Sequence, residues 1–298
     1  FTFKMISLIQ KCILLDKPPG LSSNKVLNIV KKKLDIKKAG FSGTLDPFAS
    51  GLLIIFLNKS TKACSFFLDS DKSYSGEIKL GKMSSTGDPT GEISVTSKKV
   101  SIEEDKIKAI QNKFFGESFQ KPPKFSAIKI NGQRAYELAR KGVNVDIPER
   151  KIFVNNLDII KTSESTLKIN ISCSKGTYIR SIAQDISKEF GYDGYLLSLR
   201  RESIGKISLK NALSFNDLET LSIEKIYSRL VSVDTLFVDT NKIALDKDEC
   251  TKVCNGQEVF SSQFSPGQAL IYSHNRDFIG IGEVSQEKVL FPKKIFVW

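Results

Sequence analysis

The 298 residues include only five cysteines, one histidine, two methionines and one tryptophan. Each scarcity removes a class of function. Cys12, Cys64, Cys173, Cys250 and Cys254 are odd in number and contain no Cys-x-x-Cys pair, so they offer neither a disulfide framework nor the spacing of a structural zinc site. That usage suits a reducing compartment, and the expected location is the cytoplasm. The single histidine, His274, lies far from the cysteines and in a region without a matched nucleophile motif, which argues against imidazole-dependent acyl transfer. Gly-rich phosphate loops and metal-ligand clusters are absent from the sequence, so no metal and no nucleotide or flavin cofactor is expected. The longest apolar run, Leu52 to Leu57, is strand-sized and far below the ~18 residues of a spanning helix, so no membrane association is expected. Residues 1–15 carry Lys4 and Lys11 and no small-residue cleavage site; they are not read as a signal peptide, and Met5 is the expected start.

Positive charge is abundant. Lysine and arginine number 45 against 33 acidic residues, a net charge of +12. From Thr240 onward seven basic residues meet seven acidic ones, so the whole excess belongs to the first 239 residues. A basic balance concentrated in one region is what a polyanion-binding surface requires, because neutralising phosphates releases counterions.

Helix and strand signals alternate along that basic region. Ser22 or Ser23 can cap a helix through Ile36 with Val26, Val30 and Leu34 on one stripe. Tyr74 to Leu80 alternates as a half-exposed strand, and Ser101-Ile102-Glu103-Glu104 reads as a capping box opening a helix with Ile107, Ile110 and Phe114 inward. Asn131-Gly132 marks a turn before a short helix from Gln133 to Arg140. Alternating Leu167 to Cys173 runs through Gly176 into a helix that Gly191 stops, and a further helix spans Ile223 to Val231. After Thr240 short strands and turns predominate, which predicts a small β module. The expected domains are 12–239 and 240–298.

The most informative stretch is Gly40-Phe41-Ser42-Gly43-Thr44-Leu45-Asp46-Pro47-Phe48-Ala49-Ser50-Gly51. It presents one carboxylate on a Gly- and Pro-punctuated turn just before a buried strand, and loops held by rigid elements are where reactive groups tend to sit. Taken alone, Asp46 would do no more than cap its turn. Two further stretches change that reading. Ile13-Leu14-Leu15-Asp16-Lys17-Pro18-Pro19-Gly20 precedes the loop, and Gly176-Thr177-Tyr178-Ile179-Arg180 with Leu199-Arg200-Arg201 follows it. In this order the three resemble the opening strand, catalytic loop and Tyr-x-Arg motif of TruB-type tRNA pseudouridine synthases, which isomerise uridine 55 in the tRNA T loop. Residues around Gly256, Gly280 to Glu283 and Pro292 to Lys294 resemble, more loosely, that family's PUA-like C-terminal module.

The resemblance implies an α+β fold, with a mixed-sheet catalytic domain and flanking helices followed by a small all-β module. It implies a cofactor-free enzyme acting on tRNA, monomeric and without an obligate protein partner. Asp46 is then the nucleophile, attacking either the uracil ring or the sugar, which the sequence leaves open. Arg180 pairs with it, Tyr178 accepts the C5 proton, and Tyr74 stacks on the extruded base. Lys17 and Leu199 line the pocket, and Arg200 and Arg201 meet phosphate. Phe41 stands where the family usually has histidine, so an aromatic contact replaces imidazole hydrogen bonding in RNA docking. Two rival readings are a non-catalytic RNA-binding protein on the same fold and a synthase working inside a guide-RNA complex. The second is disfavoured by the lack of long basic extensions.

Overall fold

Alternation of side chains fixes which faces of the first strands are buried, and here both are. In the computed structural model, which describes residues 10–126, 128–130, 132–143 and 146–296, β1 (Lys11–Lys17) and β3 (Ser50–Leu57) pair antiparallel, with Ile13 opposite Ile55 and Leu15 opposite Leu53. Ile13, Leu15, Leu53, Ile55 and Leu57 face α1 (Ser23–Leu34), meeting its Val26, Val30 and Leu34. Cys12, Leu14, Leu52, Ile54 and Phe56 face the other way. A strand covered on both sides reads as an uninterrupted apolar run, as Leu52 to Leu57 does.

These strands belong to an 11-stranded mixed sheet. Its further members are β2 (Ala39–Phe41), β4 (Lys72–Leu80), β5 (Gly116–Gln120), β6 (Arg150–Ser163), β7 (Thr166–Cys173), β8 (Gly194–Ile204), β9 (Leu213–Ser214) and two more two-residue strands, Ile207–Ser208 and Val231–Ser232. The spatial order is β9, β1, β3, β8, β4, β7, β6, β5, with β2 attached to β3. Antiparallel pairing runs the length of β4 against β7 and β8, whereas β3 and β8 are joined by two parallel residue pairs, Ser50 with Arg200 and Gly51 with Arg201. The β4, β6 and β7 half is covered by Ile110 of α2 (Asp105–Phe114) and by Ile182 and Ile186 of α3 (Ile179–Glu189).

The second sheet begins at Asn241 and has five strands, in the order Asn241–Ala244, Gly267–Tyr272, Phe278–Val284, Val289–Ile295, Val259–Phe260. Leu270, Phe278, Ile281 and Phe296 from this module complete the cluster around Leu14, Leu52 and Phe56, so the two sheets share buried surface.

Three expectations need correction. The capping box at Ser101 does not form: α2 opens at Asp105 with no side-chain cap, buried Ile102 anchors the preceding segment, and the Ser101 amide donates to the Tyr192 hydroxyl. The helix from Ile223 ends at Ser228 rather than Val231, because Val231 pairs with Cys12 of β1. The C-terminal module also carries a helix, Lys247–Cys254, opened by a complete capping box between Asp246 and Glu249. Of the expected Asn131-Gly132 turn, Asn131 lies outside the described residues.

Candidate active site

The loop between β2 and β3 is fastened from several directions. The Ser23 hydroxyl, in the first turn of α1, donates to the Leu45 carbonyl and accepts from the Leu45 amide, each at 2.9 Å. Gly20 N–H donates to the Pro47 carbonyl at 2.7 Å, and Ser42 N–H to that of Ile54 at 3.2 Å. Leu45 and Ala49 are buried in the core. Gly51 closes the loop at φ +105, where a β-carbon would come within 2.3 Å of the Arg201 carbonyl, so only glycine fits.

Held this way, the Asp46 carboxylate meets Arg180 at 2.9 Å. The Asp46 side chain keeps 35% of its surface accessible while that of Arg180 keeps 5%, so a ligand can reach the acid while its cation stays covered. Arg180 sits in the first turn of α3 and donates to the carbonyls of Thr86 (3.1 Å) and Phe125 (2.9 Å). A second carboxylate, buried Asp88, also pairs with it at 3.4 Å. Asp88 is fixed by the Thr86 hydroxyl (2.8 Å) and the Thr90 amide (2.9 Å). One guanidinium thus serves two acids. Burial pushes the Asp46 carboxyl above the usual carboxylate range, Arg180 pulls it back, and Asp88 adds to the rise.

Sequence reasoning missed Asp88, because Thr86-Gly87-Asp88-Pro89 reads as an ordinary turn. It also missed buried Gln120, whose side-chain oxygen accepts from the Tyr178 amide (2.8 Å) and whose nitrogen donates to the Tyr178 carbonyl (3.1 Å). Tyr178 caps α3 in an extended conformation, φ −95 and ψ 110, so its ring leaves the helix before Arg180 enters it.

The remaining candidates divide. Lys17 is fully buried, and its ammonium donates to the carbonyls of Pro18 (2.9 Å), Leu21 (2.6 Å) and Pro47 (3.4 Å). Burial lowers its pKa to about 8 against the opposing pull of Asp46. With three carbonyls already engaged, Lys17 fastens the loop from beneath. Arg201, expected at phosphate, is 1% exposed, and this is a correction. Its guanidinium donates to the carbonyls of Leu52 (2.8 Å) and Gly43 (3.1 Å), and it is hydrogen-bonded to the Tyr74 hydroxyl. Burial raises the Tyr74 phenol, opposed by that guanidinium. Tyr74 and Leu199 adjoin the same core cluster as Leu45 and Ala49, which brings both toward the Asp46 loop.

Arg200 is half exposed but engaged, with Asp16 at 2.7 Å and Glu202 at 3.9 Å, so a phosphate there must compete with a carboxylate. Phe41 pairs with Ile55 and rests half-buried against the α1 cluster, so part of its ring is already committed to packing. Among the described residues no group of three or more His, Cys, Asp and Glu side chains is placed to hold a metal ion.

Comparison with known proteins sets this geometry in a family. Residues 31–179 match the model of the TruB family pseudouridylate synthase N-terminal domain, and residues 242–296 match that of the pseudouridine synthase II TruB C-terminal region. The chain belongs to the TruB family. It is 40% identical over 288 residues to tRNA pseudouridine synthase B of Aquifex aeolicus, an alignment covering 96% of this chain and 99% of that protein. To the protein of the same name from Methylobacillus flagellatus it is 37% identical, covering 96% and 95%. Among solved structures, a chain in an H/ACA ribonucleoprotein bound to a substrate RNA containing 2'-deoxyuridine shares the fold, with a TM-score of 0.74 at 21% identity, covering 99% of this chain and 87% of that one. A chain of a Cbf5-Nop10-Gar1 complex is similar, with a TM-score of 0.73 at 21% identity and the same coverage.

Proposed function

We propose that the chain isomerises uridine 55 in the T loop of tRNA to pseudouridine, with Asp46 as the nucleophile. The observation that carries this is the pairing of an accessible Asp46 with a covered Arg180 across 2.9 Å, from segments more than 130 positions apart. A carboxylate that served only to cap its turn would not need a buried cation from a distant helix.

In this reading the uridine leaves its stack, at a cost of a few kcal/mol, and Tyr74 recovers part of that by stacking on the base. Asp46 attacks the base or the sugar, the glycosidic C–N bond breaks, and the uracil turns. Its C5 then bonds to the sugar and Asp46 is released. Tyr178 relays the C5 proton, one proton leaving C5 and one arriving at N1, so atoms balance without a co-reactant. Arg180 keeps Asp46 ionised and aimed, and Leu199 forms an apolar wall. Phosphate contacts fall to Arg200 in competition with Asp16, and the exposed edge of Phe41 meets the loop. Residues 12–239 act as the catalytic domain, with 240–298 as a PUA-like RNA-binding module. The enzyme works in the cytoplasm as a monomer without an obligate partner.

The test is to incubate the protein with an unmodified tRNA transcript, adding neither guide RNA nor cofactor, and to map pseudouridine by position. Modification at position 55 is expected. The Asp46→Asn variant should show none while binding tRNA within a few-fold of the parent. Binding without modification by the unaltered protein would favour the RNA-binding reading, and a requirement for guide RNA would favour the other rival.

A further inference from the structure

A cavity of about 560 Å3 has Arg150, Lys151, Phe153, Ser174, Lys175 and Gly176 in its wall. Three of these residues are cations, and two already have acids. Lys151 pairs with Glu117, also in the wall, at 2.7 Å, and Lys175 with Asp69 at 2.8 Å. Arg150 has no carboxylate partner among the described residues, and its buried Nη2 finds no acceptor. A buried charged donor left without an acceptor is costly, and among the described residues only an aromatic face offsets part of that cost.

The same guanidinium lies over the Tyr178 ring, 4.8 Å from the ring centre. The chain keeps room for it: at Gly176, φ +79, a β-carbon would fall 2.9 Å from Arg150 Nη1. A guanidinium with one face on an aromatic ring, a cavity beside it and no acid to neutralise it is suited to phosphate, which guanidinium binds through its N–H groups.

We propose that this cavity receives a backbone phosphate of the RNA substrate, bound by Arg150 while the Arg150 face steadies Tyr178. The inference rests on the proposed function and deepens it. Gripping the RNA backbone and placing the Tyr178 ring become one event, because one side chain does both.

The experiment uses the Asp46→Asn protein, so that binding is read without turnover. Affinity for a tRNA transcript is measured between about 50 and 200 mM salt. Arg150→Met, which keeps an apolar stem on the ring but no charge, should bind about tenfold more weakly, and its salt slope should fall by about 1. Arg150→Lys should keep the slope. T-arm RNAs carrying single methylphosphonates should contain one position whose neutralisation weakens the parent and leaves Arg150→Met unaffected. Thermal unfolding establishes that the variant is folded, and Arg150→Gln replaces the methionine variant if it is not. An unchanged slope in a folded variant, or no such position, overturns the phosphate site. Loss of all tRNA binding in the Asp46→Asn parent overturns the reading of the whole site instead, and this inference with it.

Discussion

Asp46 and Asp88 compete for Arg180, and that competition has a measurable sign. As the proposed nucleophile Asp46 must be ionised, and burial together with Asp88 raises its carboxyl above its ordinary value of 3.8, so the acid limb of the single-turnover rate should lie above that pH. Asp88→Asn keeps the Oδ1 that accepts from Thr86 and Thr90 and removes the like charge. The limb should then move to lower pH, while the maximal rate falls because Arg180 loses one of its two carboxylate partners. A pH-rate profile of the variant checks this, and an unmoved limb would show that Asp88 does not act on Asp46 through charge. The residue scale is also where the sequence was least legible. Asp46, Arg180 and Tyr178 stand out in the sequence because their motifs resemble a family's. Asp88 was not found, since nothing in a Gly-Asp-Pro turn announces a partner 92 positions ahead. Arg201 was misplaced because sequence shows charge but not burial, and adjacent Arg200 and Arg201 point to opposite faces of one strand, one toward solvent and one inward.

At the scale of elements, the fold could be read wherever one period ran without competition. The stripe of Val26, Val30 and Leu34 and the apolar run Leu52 to Leu57 became α1 and β3 because a helix and a doubly covered strand are the only ways to bury those patterns. The Ser101 box failed because a capping motif competes with tertiary anchoring, and Ile102 is held by the core. The Lys247–Cys254 helix was overlooked although Asp246 and Glu249 carry its signal, since the surrounding turns suggested strands alone. Lys17 supports a prediction about the loop it fastens. Its ammonium titrates near 8 in the folded chain against an ordinary 10.5, so the unfolded chain holds the proton more tightly. The penalty for burying the charge is fully present below about pH 8 and is relieved between about 8 and 10.5. Urea midpoints of the parent and of Lys17→Met, compared across that window, should shift in favour of the parent as pH rises. A difference independent of pH would mean that the ammonium is not desolvated in the native state.

For the whole molecule, the charge boundary near position 240 is legible in composition, but the packing across it is not. The C-terminal module is tied to the first by more than a linker. The Tyr272 hydroxyl donates to Asp234 at 2.7 Å, Lys62 donates to the Ile295 carbonyl at 2.6 Å, and Phe278 and Phe296 sit in the same cluster as Leu52 and Phe56. The two sheets should therefore unfold in one calorimetric transition, with the calorimetric enthalpy equal to the van't Hoff value. Removing residues 240–298 should lower the melting temperature of what remains, because Leu14, Ile54 and Phe56 would lose their cover. Two separate transitions would refute this.

The two residue pairs that join β3 to β8 give the large sheet a seam. Asp46 is anchored on one side of it and Arg180 and Tyr74 on the other, with the Arg201 side chain as the bolt between them. A slip of a few tenths of an ångström along that line would leave each half intact, yet it would part the acid from its cation. Warming the protein should therefore silence it before it melts, and adaptation to a new temperature should be written in the residues that set the tightness of this joint.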